Sequence, residues 1–260
     1  MLIGKFIPIN SIVHRLDARM KIVSLIFLLV AVISTSTIYG YAAILMVLTV
    51  IIWLSKLSLL AVVSPIRRLW LFFIVIFFMN AFFFSSDNPL FSWWIISFSG
   101  EGMKQGVKVV FNVCVVMVLG NILTLSTSPI DMTNALSSLL TPLKLLRVPI
   151  EDVAMIINIA IQFVPTILEE SDMIRKAQTA RGARFESRRL REKALSFLPL
   201  LIPIFISSFR RADELSLAME ARGYRSAKRR TKKARVPFRV LDFTAVAACF
   251  VVCVIQIIFK

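Results

Sequence analysis

Two arginines carry the best candidate chemistry in this chain of 260 residues. Arg181 and Arg222 each stand in the same short signature, Ala177-Gln178-Thr179-Ala180-Arg181-Gly182 and Ala218-Met219-Glu220-Ala221-Arg222-Gly223, and the two lie 41 residues apart. The likeness reaches upstream, because Asp172 in the first copy corresponds to Asp213 in the second. Ala-Arg-Gly is expected roughly 0.05 times by chance in such a chain, so a duplicate is signal. A guanidinium is a planar fork that grips a carboxylate bidentately, which lysine cannot match. Two matched forks therefore suit two related acidic partners. Two copies are too few for a solenoid, so they read as two matched contact points.

Each signature must be positioned by the end of a helix. Gly182 and Gly223 are the residue type that follows a helix C-terminus, because glycine takes the left-handed conformation without steric penalty. An arginine in the last turn complements the negative end of the helix dipole. Taken singly, each copy is an ordinary glycine-capped basic helix end; duplication is what points to contact. Upstream of the first tip, Pro149 is a first-turn residue, with Glu151 and Asp152 on the positive dipole end. Val153, Ile156, Ile157, Ala160, Ile161, Val164, Ile167 and Leu168 then follow helical spacing. The second helix is predicted from about Glu192 to Gly223. An acid-free basic tether, Arg225–Arg239, follows it.

The rest of the chain is membrane. It is 58% hydrophobic, with mean hydropathy +0.81, which excludes a soluble domain. Apolar runs at Ile22–Ile38, up to Leu54 after the Tyr39-Gly40-Tyr41 turn, at Leu69–Phe84, Val107–Leu125 and Phe238–Phe259 predict five spans. Lys56, Arg67 and Arg68 flank Pro65 in what reads as a loop, and Pro89, Trp93 and Trp94 mark an interfacial belt. The net charge is +16, of which residues 141–240 carry +11 from 21 Lys/Arg against 10 Asp/Glu. That bias places the N-terminus and this segment in the cytoplasm and Lys260 outside; Lys104 and Lys108 fall on the outer end of the fourth span. The basic N-terminal stretch lacks a cleavage pattern and does not read as a signal peptide.

Val153–Leu168 holds Asn158, Gln162 and Pro165, while Phe197–Phe209 is short and holds Pro199 and Pro203. If only one crossed the bilayer, the basic block Arg184–Lys193 and one signature would part sides; if both crossed, that block would lie outside. Both read as helices along the inner membrane surface or against other protein, with an apolar docking face. The expected organisation is an all-α polytopic membrane protein. Residues 1–128 hold four spans, 129–236 a cytoplasmic coupling domain with two long helices, and 237–260 the last span.

Enzymatic chemistry is missing from the pattern. No glycine stands in a phosphate-loop context, so ATP hydrolysis by that route is excluded. His14 is the only histidine, which excludes a multi-histidine metal site, and Cys114, Cys249 and Cys253 lie in apolar runs as small hydrophobes. The spans carry no acid except Asp242 at an end, which argues against a proton-coupled carrier. Asn80, Asn112 and Asn121 read as interhelical hydrogen-bonding residues. Gly102-x-x-x-Gly106 is a weak packing signal with Lys104 at its interface.

The twin Ala-Arg-Gly signatures resemble those of the transmembrane T component of energy-coupling factor transporters. The segment His14-Arg15-Leu16-Asp17-Ala18-Arg19-Met20-Lys21 is similar to that family's N-terminal motif, with Ala18 where proline is common. Ser128-Pro129-Ile130-Asp131 through Pro142-Leu143-Lys144 and Pro149 also fits, so the resemblance covers nearly the whole chain. It implies a non-catalytic subunit that docks two ABC-type ATPases and a membrane-embedded S component capturing a vitamin or metal ion. Ala180, Arg181, Gly182, Ala221, Arg222 and Gly223 would contact the ATPases, which would bind the ATP and Mg; this chain would hold no cofactor. Ile157, Ile161, Val164, Leu201 and Phe205 would form the S-component docking face. Two intact motifs fit the type that serves several S components. The other readings are a stand-alone secondary transporter, and a membrane-anchored binder of anionic lipid or RNA through Arg225–Arg239. Nucleic acid is disfavoured, since no aromatics interleave that basic run.

Overall fold

The computed structural model describes residues 6–83, 91–93, 96–142, 149–183, 185, 190–224 and 240–259. The basic tether Arg225–Arg239, Arg188, Pro89, Trp94, Lys260 and the pair Leu143-Lys144 lie outside them. The chain is an all-α, multi-pass membrane protein. Its helices are α1 (Ile12–Arg15), α2 (Ala18–Ser34), α3 (Ile38–Ser55), α4 (Leu59–Arg68), α5 (Trp70–Phe83), α6 (Gly100–Ser126), α7 (Pro129–Leu139), α8 (Ile150–Ala180), α9 (Leu190–Ala221) and α10 (Val240–Ile258). A short antiparallel hairpin, β1 (Phe91–Trp93) with β2 (Ile96–Phe98), joins α5 to α6. Two compact units divide the chain: Leu2–Ala135 with Val236–Lys260, and Leu136–Arg235.

The first unit is built around α6. Leu28, Val32, Ile44, Val115 and Leu119 form one buried cluster with α2 and α3, and Leu57, Val62, Val118, Ile122 and Leu125 a second with α4. On another side α5 lies close against Gly102 and Gly106 of α6. A β-carbon at Gly102 would come within 3.0 Å of the carbonyl oxygens of Asn80 and Ala81, and one at Gly106 within 3.1 Å of Phe77. The expectation of a weak motif spoiled by Lys104 is corrected here. Lys104, two residues on from Gly102, projects about 200° away from it and is exposed.

Capping residues explain where helices begin. Asp17 Oδ1 accepts from Arg19 N at 2.8 Å, so α2 starts at Ala18 and ends at Ser34, four residues ahead of the apolar run Ile22–Ile38. Ser99 Oγ accepts from Gly102 N at 2.9 Å, which starts α6 seven residues before Val107. Ser58 starts α4 where a loop was expected, and α4 continues through Pro65 before bending 57° into α5. Proline has no N–H, so the carbonyl of Ala61 loses its helical donor. Asn121 Nδ2 from α6 replaces it, donating to Ala61 O and Val62 O at 2.9 Å each. The expectation of bonds between helices holds for Asn121, whereas Asn80 Nδ2 donates to Ile76 O within α5 at 2.9 Å.

The last helix of this unit, α10, closes on α2 at one end and on the corner between α2 and α3 at the other. At one end Asp17 N donates to Asp242 Oδ1 at 3.0 Å, and Asp242 is only 2% exposed. Beside it the buried Lys21 Nζ donates to Ser126 O at 2.8 Å, a favourable cation at the C-terminus of α6. At the other end Gln256 Nε2 donates to Gly40 O at 3.0 Å, and Phe27 meets Phe250 edge-on at 5.3 Å between the two. A β-carbon at Gly40 would meet Gln256 Oε1 at 2.5 Å and Thr35 Cγ2 at 2.9 Å, so a larger residue would displace the Gln256 side chain.

Ahead of α2 the N-terminal segment is clasped by His14. Its Nε2–H donates to Ile7 O at 3.0 Å, so the neutral Nδ1 accepts from Ser11 Oγ at 2.7 Å. Ile7 N donates onward to Leu125 O at 3.1 Å. Desolvation holds the His14 imidazole below its ordinary value; the bond to Ile7 O works against that, and Lys21 adds to it.

By length and composition α3, α6, α8 and α10 are each long and apolar enough to cross a bilayer, as is the bent pair α4–α5. At 17 residues α2 is slightly shorter. The inclusion of α8 differs from the sequence reading. Its apolar run Val153–Leu168 is embedded in a continuous helix of 31 residues that passes through Pro165.

Candidate functional site

In the second unit α8 and α9 each end in one of the two signatures, and the ends are built alike. At the first, Gly182 N donates to Thr179 O at 3.0 Å and Ala183 N to Gln178 O at 3.0 Å. At the second, Gly223 N donates to Glu220 O at 2.8 Å and Tyr224 N to Met219 O at 2.9 Å. Both are Schellman caps, with Arg181 and Arg222 at the C-cap and glycine just beyond. Gly182 has φ +89° and Gly223 φ +69°, and nothing lies within 4 Å of a β-carbon at either. Glycine is required there by backbone conformation rather than by space.

Ala180, Arg181, Gly182, Ala221, Arg222 and Gly223 are all exposed. Neither guanidinium is ion-paired among the described residues. Each tip is thus a hydrogen-bonded cap that presents an exposed planar cation, of the kind that pairs bidentately with a carboxylate.

The two helices run antiparallel. Along their length Asp152 meets Tyr224, Glu170 meets Arg211, and Phe185 meets Phe197, in reversed order. The central contact is the strongest: Arg211 Nη2 lies 2.8 Å from Glu170 Oε2. Arg211 is 41 residues after Glu170, the spacing of the two signatures. Equivalent positions of the two copies therefore touch each other, which places a local twofold axis through this ion pair. Arg181 follows Glu170 by 11 residues and Arg222 follows Arg211 by the same number. At about 1.5 Å per residue the tips stand on the order of 30 Å apart, on opposite sides of the pair.

The surroundings of the tips are not identical. Tyr224 OH donates to Asp152 Oδ1 at 3.4 Å, tying the second tip to the first turn of α8. Beyond the first tip the buried Phe185 stands edge-on to Phe197 at 5.8 Å, with the Arg175 guanidinium 5.9 Å from its ring centre.

The apolar residues proposed from sequence lie on these same helices. Ile157 and Val164 are exposed and Ile161 half-buried on one face of α8, while Leu201 and Phe205 are exposed on α9, Phe205 to 59%. The prolines do not break the helices; α9 is continuous through Pro199 and Pro203. Sequence reading found the tips but missed the Glu170–Arg211 pair. The signal was available, since superposing the two copies at a 41-residue offset sets Glu170 on Arg211.

A multi-pass all-α membrane protein bearing a duplicated, symmetrically placed helix tip is the class that this fold and site define. The family model described as cobalt transport protein, CbiQ, matches residues 9–233. The energy-coupling factor transporter transmembrane protein EcfT of Ruminiclostridium cellulolyticum is 36% identical over 240 residues, covering 92% of this chain and 90% of that one. The EcfT protein of Acidaminococcus fermentans is 40% identical over 232 residues, covering 88% and 85%. That of Staphylococcus aureus is 32% identical over 260 residues, covering 100% and 97%. The chain belongs to the family of energy-coupling factor transporter transmembrane proteins, and is a membrane component of such a transporter.

Proposed function

We propose that this chain is the non-catalytic coupling subunit of an ATP-driven uptake transporter, linking two ABC-type ATPases to a substrate-capturing S component. The observation that carries the reading is the matched pair of exposed arginine caps, equidistant from the Glu170–Arg211 pair. Two equivalent cations about a local twofold suit a dimer of related ATPase subunits that itself has twofold character. Each ATPase would offer a groove with carboxylates to one tip. ATP and Mg would be bound by those subunits. When the ATPases close or separate, rigid caps would transmit the displacement into α8 and α9. The exposed apolar faces around Ile157, Ile161, Val164, Leu201 and Phe205 would then shift or tilt the S component, which holds the vitamin or metal ion. In this arrangement the N-terminus and the tips face the cytoplasm, and residues 129–236 act as the coupling domain.

The test is ATP-driven uptake in proteoliposomes, together with pull-down of the ATPases. Removing one partner from a desolvated charge pair costs about 2–5 kcal/mol, a factor of tens to thousands in affinity. Arg181→Ala or Arg222→Ala is expected to cut uptake strongly while the remaining tip keeps the complex assembled. The double variant is expected to separate the ATPases as well. Wild-type uptake and wild-type ATPase binding in the double variant would overturn the proposal.

A further inference from the structure

We propose that α4 lies in the plane of the membrane interface and is a binding element for anionic lipid headgroups. The argument begins with connectivity. Helix α3 is long and apolar enough to cross the bilayer and ends at Ser55, and α5 starts at Trp70. The link between them begins at Lys56 and ends at Arg67 and Arg68. If α4 and α5 formed one bent span, both arginines would fall within a few residues of its middle, near the bilayer centre, where charge is strongly disfavoured. The arginines belong at an interface instead, on the side where α3 emerges. A helix that joins two points on one side of the membrane runs along it, and the 57° bend at Leu69 is where the chain turns inward.

The faces of α4 agree. Val62 is fully buried in the cluster with Val118 and Ile122 of α6, and Asn121 bonds the carbonyls of Ala61 and Val62 to the same helix. Leu59, Val63 and Arg67 fall in one outward row at i, i+4 and i+8, with Leu60 beside them. Leu59 is 64% and Leu60 79% exposed. An apolar row that ends in arginine is the pattern of an interfacial helix whose cation reaches the headgroups. Arg67 and Arg68 are exposed and have no ion pair among the described residues. The sequence holds no Asp or Glu between Asp17 and Asp87, so α4 and its flanking helices α3 and α5 carry no acid of their own. The complement to this surface is a phosphodiester headgroup of negative net charge, such as that of phosphatidylglycerol.

Trp70 is 61% exposed and follows the arginines directly, so it reports the lipid beside them. The full chain with Trp53, Trp93 and Trp94 changed to Phe is titrated, in mixed micelles at low ionic strength, with brominated phosphatidylglycerol or brominated phosphatidylcholine. Trp70 quenching is expected to favour phosphatidylglycerol, and the preference is expected to fall about fivefold for each arginine removed in Arg67→Gln/Arg68→Gln. Lys104→Gln/Lys108→Gln, which removes the same charge elsewhere, is expected to leave it unchanged. No preference in the parent chain, a preference that survives the double arginine change, or an equal loss in both doubles would overturn the headgroup assignment. A nitroxide at Leu60, in a bilayer-reconstituted chain with its three cysteines replaced, tests the placement of α4. Greater collision with oxygen than with a water-soluble nickel chelate is expected, and the reverse would overturn it.

Discussion

Glu170 and Arg211 occupy equivalent positions in two copies of one sequence pattern, and they bind each other at 2.8 Å. In an antiparallel pair, a position that meets its own counterpart marks the centre of the crossing, so this contact is the point from which both arginine caps are measured. The side chains are 21% and 32% exposed, for Glu170 and Arg211 respectively, so solvent still screens the pair. A double-mutant cycle of Glu170→Ala and Arg211→Ala, read by thermal unfolding, is expected to give a coupling energy of about 0.5–1 kcal/mol. The exchanged pair Glu170→Arg/Arg211→Glu is expected to recover part of it. A coupling energy near zero would show that the contact does not hold the crossing.

The caps should be sensitive to backbone conformation rather than to volume. Gly182→Ala and Gly223→Ala place a β-carbon in open space but at positive φ. Each is expected to cost about 1–2 kcal/mol in unfolding experiments. Asn, which tolerates the left-handed region, is expected to cost less than Ala at both sites. An Ala variant as stable as the parent would mean that the caps are not held in this geometry.

The Asn121–Pro65 relationship makes a non-additive prediction. Asn121→Leu leaves the carbonyl of Ala61, whose helical donor Pro65 lacks, without a donor, at about 1–3 kcal/mol. Pro65→Ala restores an N–H that can bond Ala61 O within α4. Asn121→Leu is therefore expected to be milder in the Pro65→Ala background, by about 1 kcal/mol. Equal costs in both backgrounds would refute the substitution of one donor for the other.

His14 gives the N-terminal clasp a pH dependence of defined sign. Its folded value is lowered, chiefly by desolvation, so the folded state disfavours the imidazolium. The contribution is fully present above the ordinary value of 6.5 and is lost as pH falls through that value toward the lowered one. Between pH 7.5 and 5.5 the unfolding temperature of the parent is expected to fall more than that of His14→Gln. Parallel curves for the two proteins would show that His14 does not carry the effect.

Much of this architecture was legible because it rests on local chemistry. Apolar length marked α3, α6 and α10 as candidate spans, and glycine after a basic helix end marked both caps. Helix starts were less legible, since Asp17, Ser58 and Ser99 lie outside the apolar runs and act through single side-chain bonds to backbone. Helix α4 was hidden by Pro65 and the adjacent arginines, which read locally as a loop; the donor that completes its backbone comes from Asn121, 60 residues from Ala61. The exposed position of Lys104 shows a different error, spacing judged without rotation around the helix. The sequence shows that α8 and α9 carry exposed apolar residues, but which of them a partner would cover depends on the partner's own surface.

The closure of α10 on α2 and α3 has a consequence for biogenesis. The partner that accepts from Asp17 N and the one that covers Gly40 O are both supplied by the final helix, more than 200 residues downstream. While the ribosome is still translating, α2 and α3 have already been made with those groups unanswered. The unit begun first is thus completed last, after α8 and α9 have emerged in between. Ribosomal arrest or a premature stop before Val240 would leave both arginine signatures synthesised on a membrane body that has never shut, an open substrate for quality-control proteases.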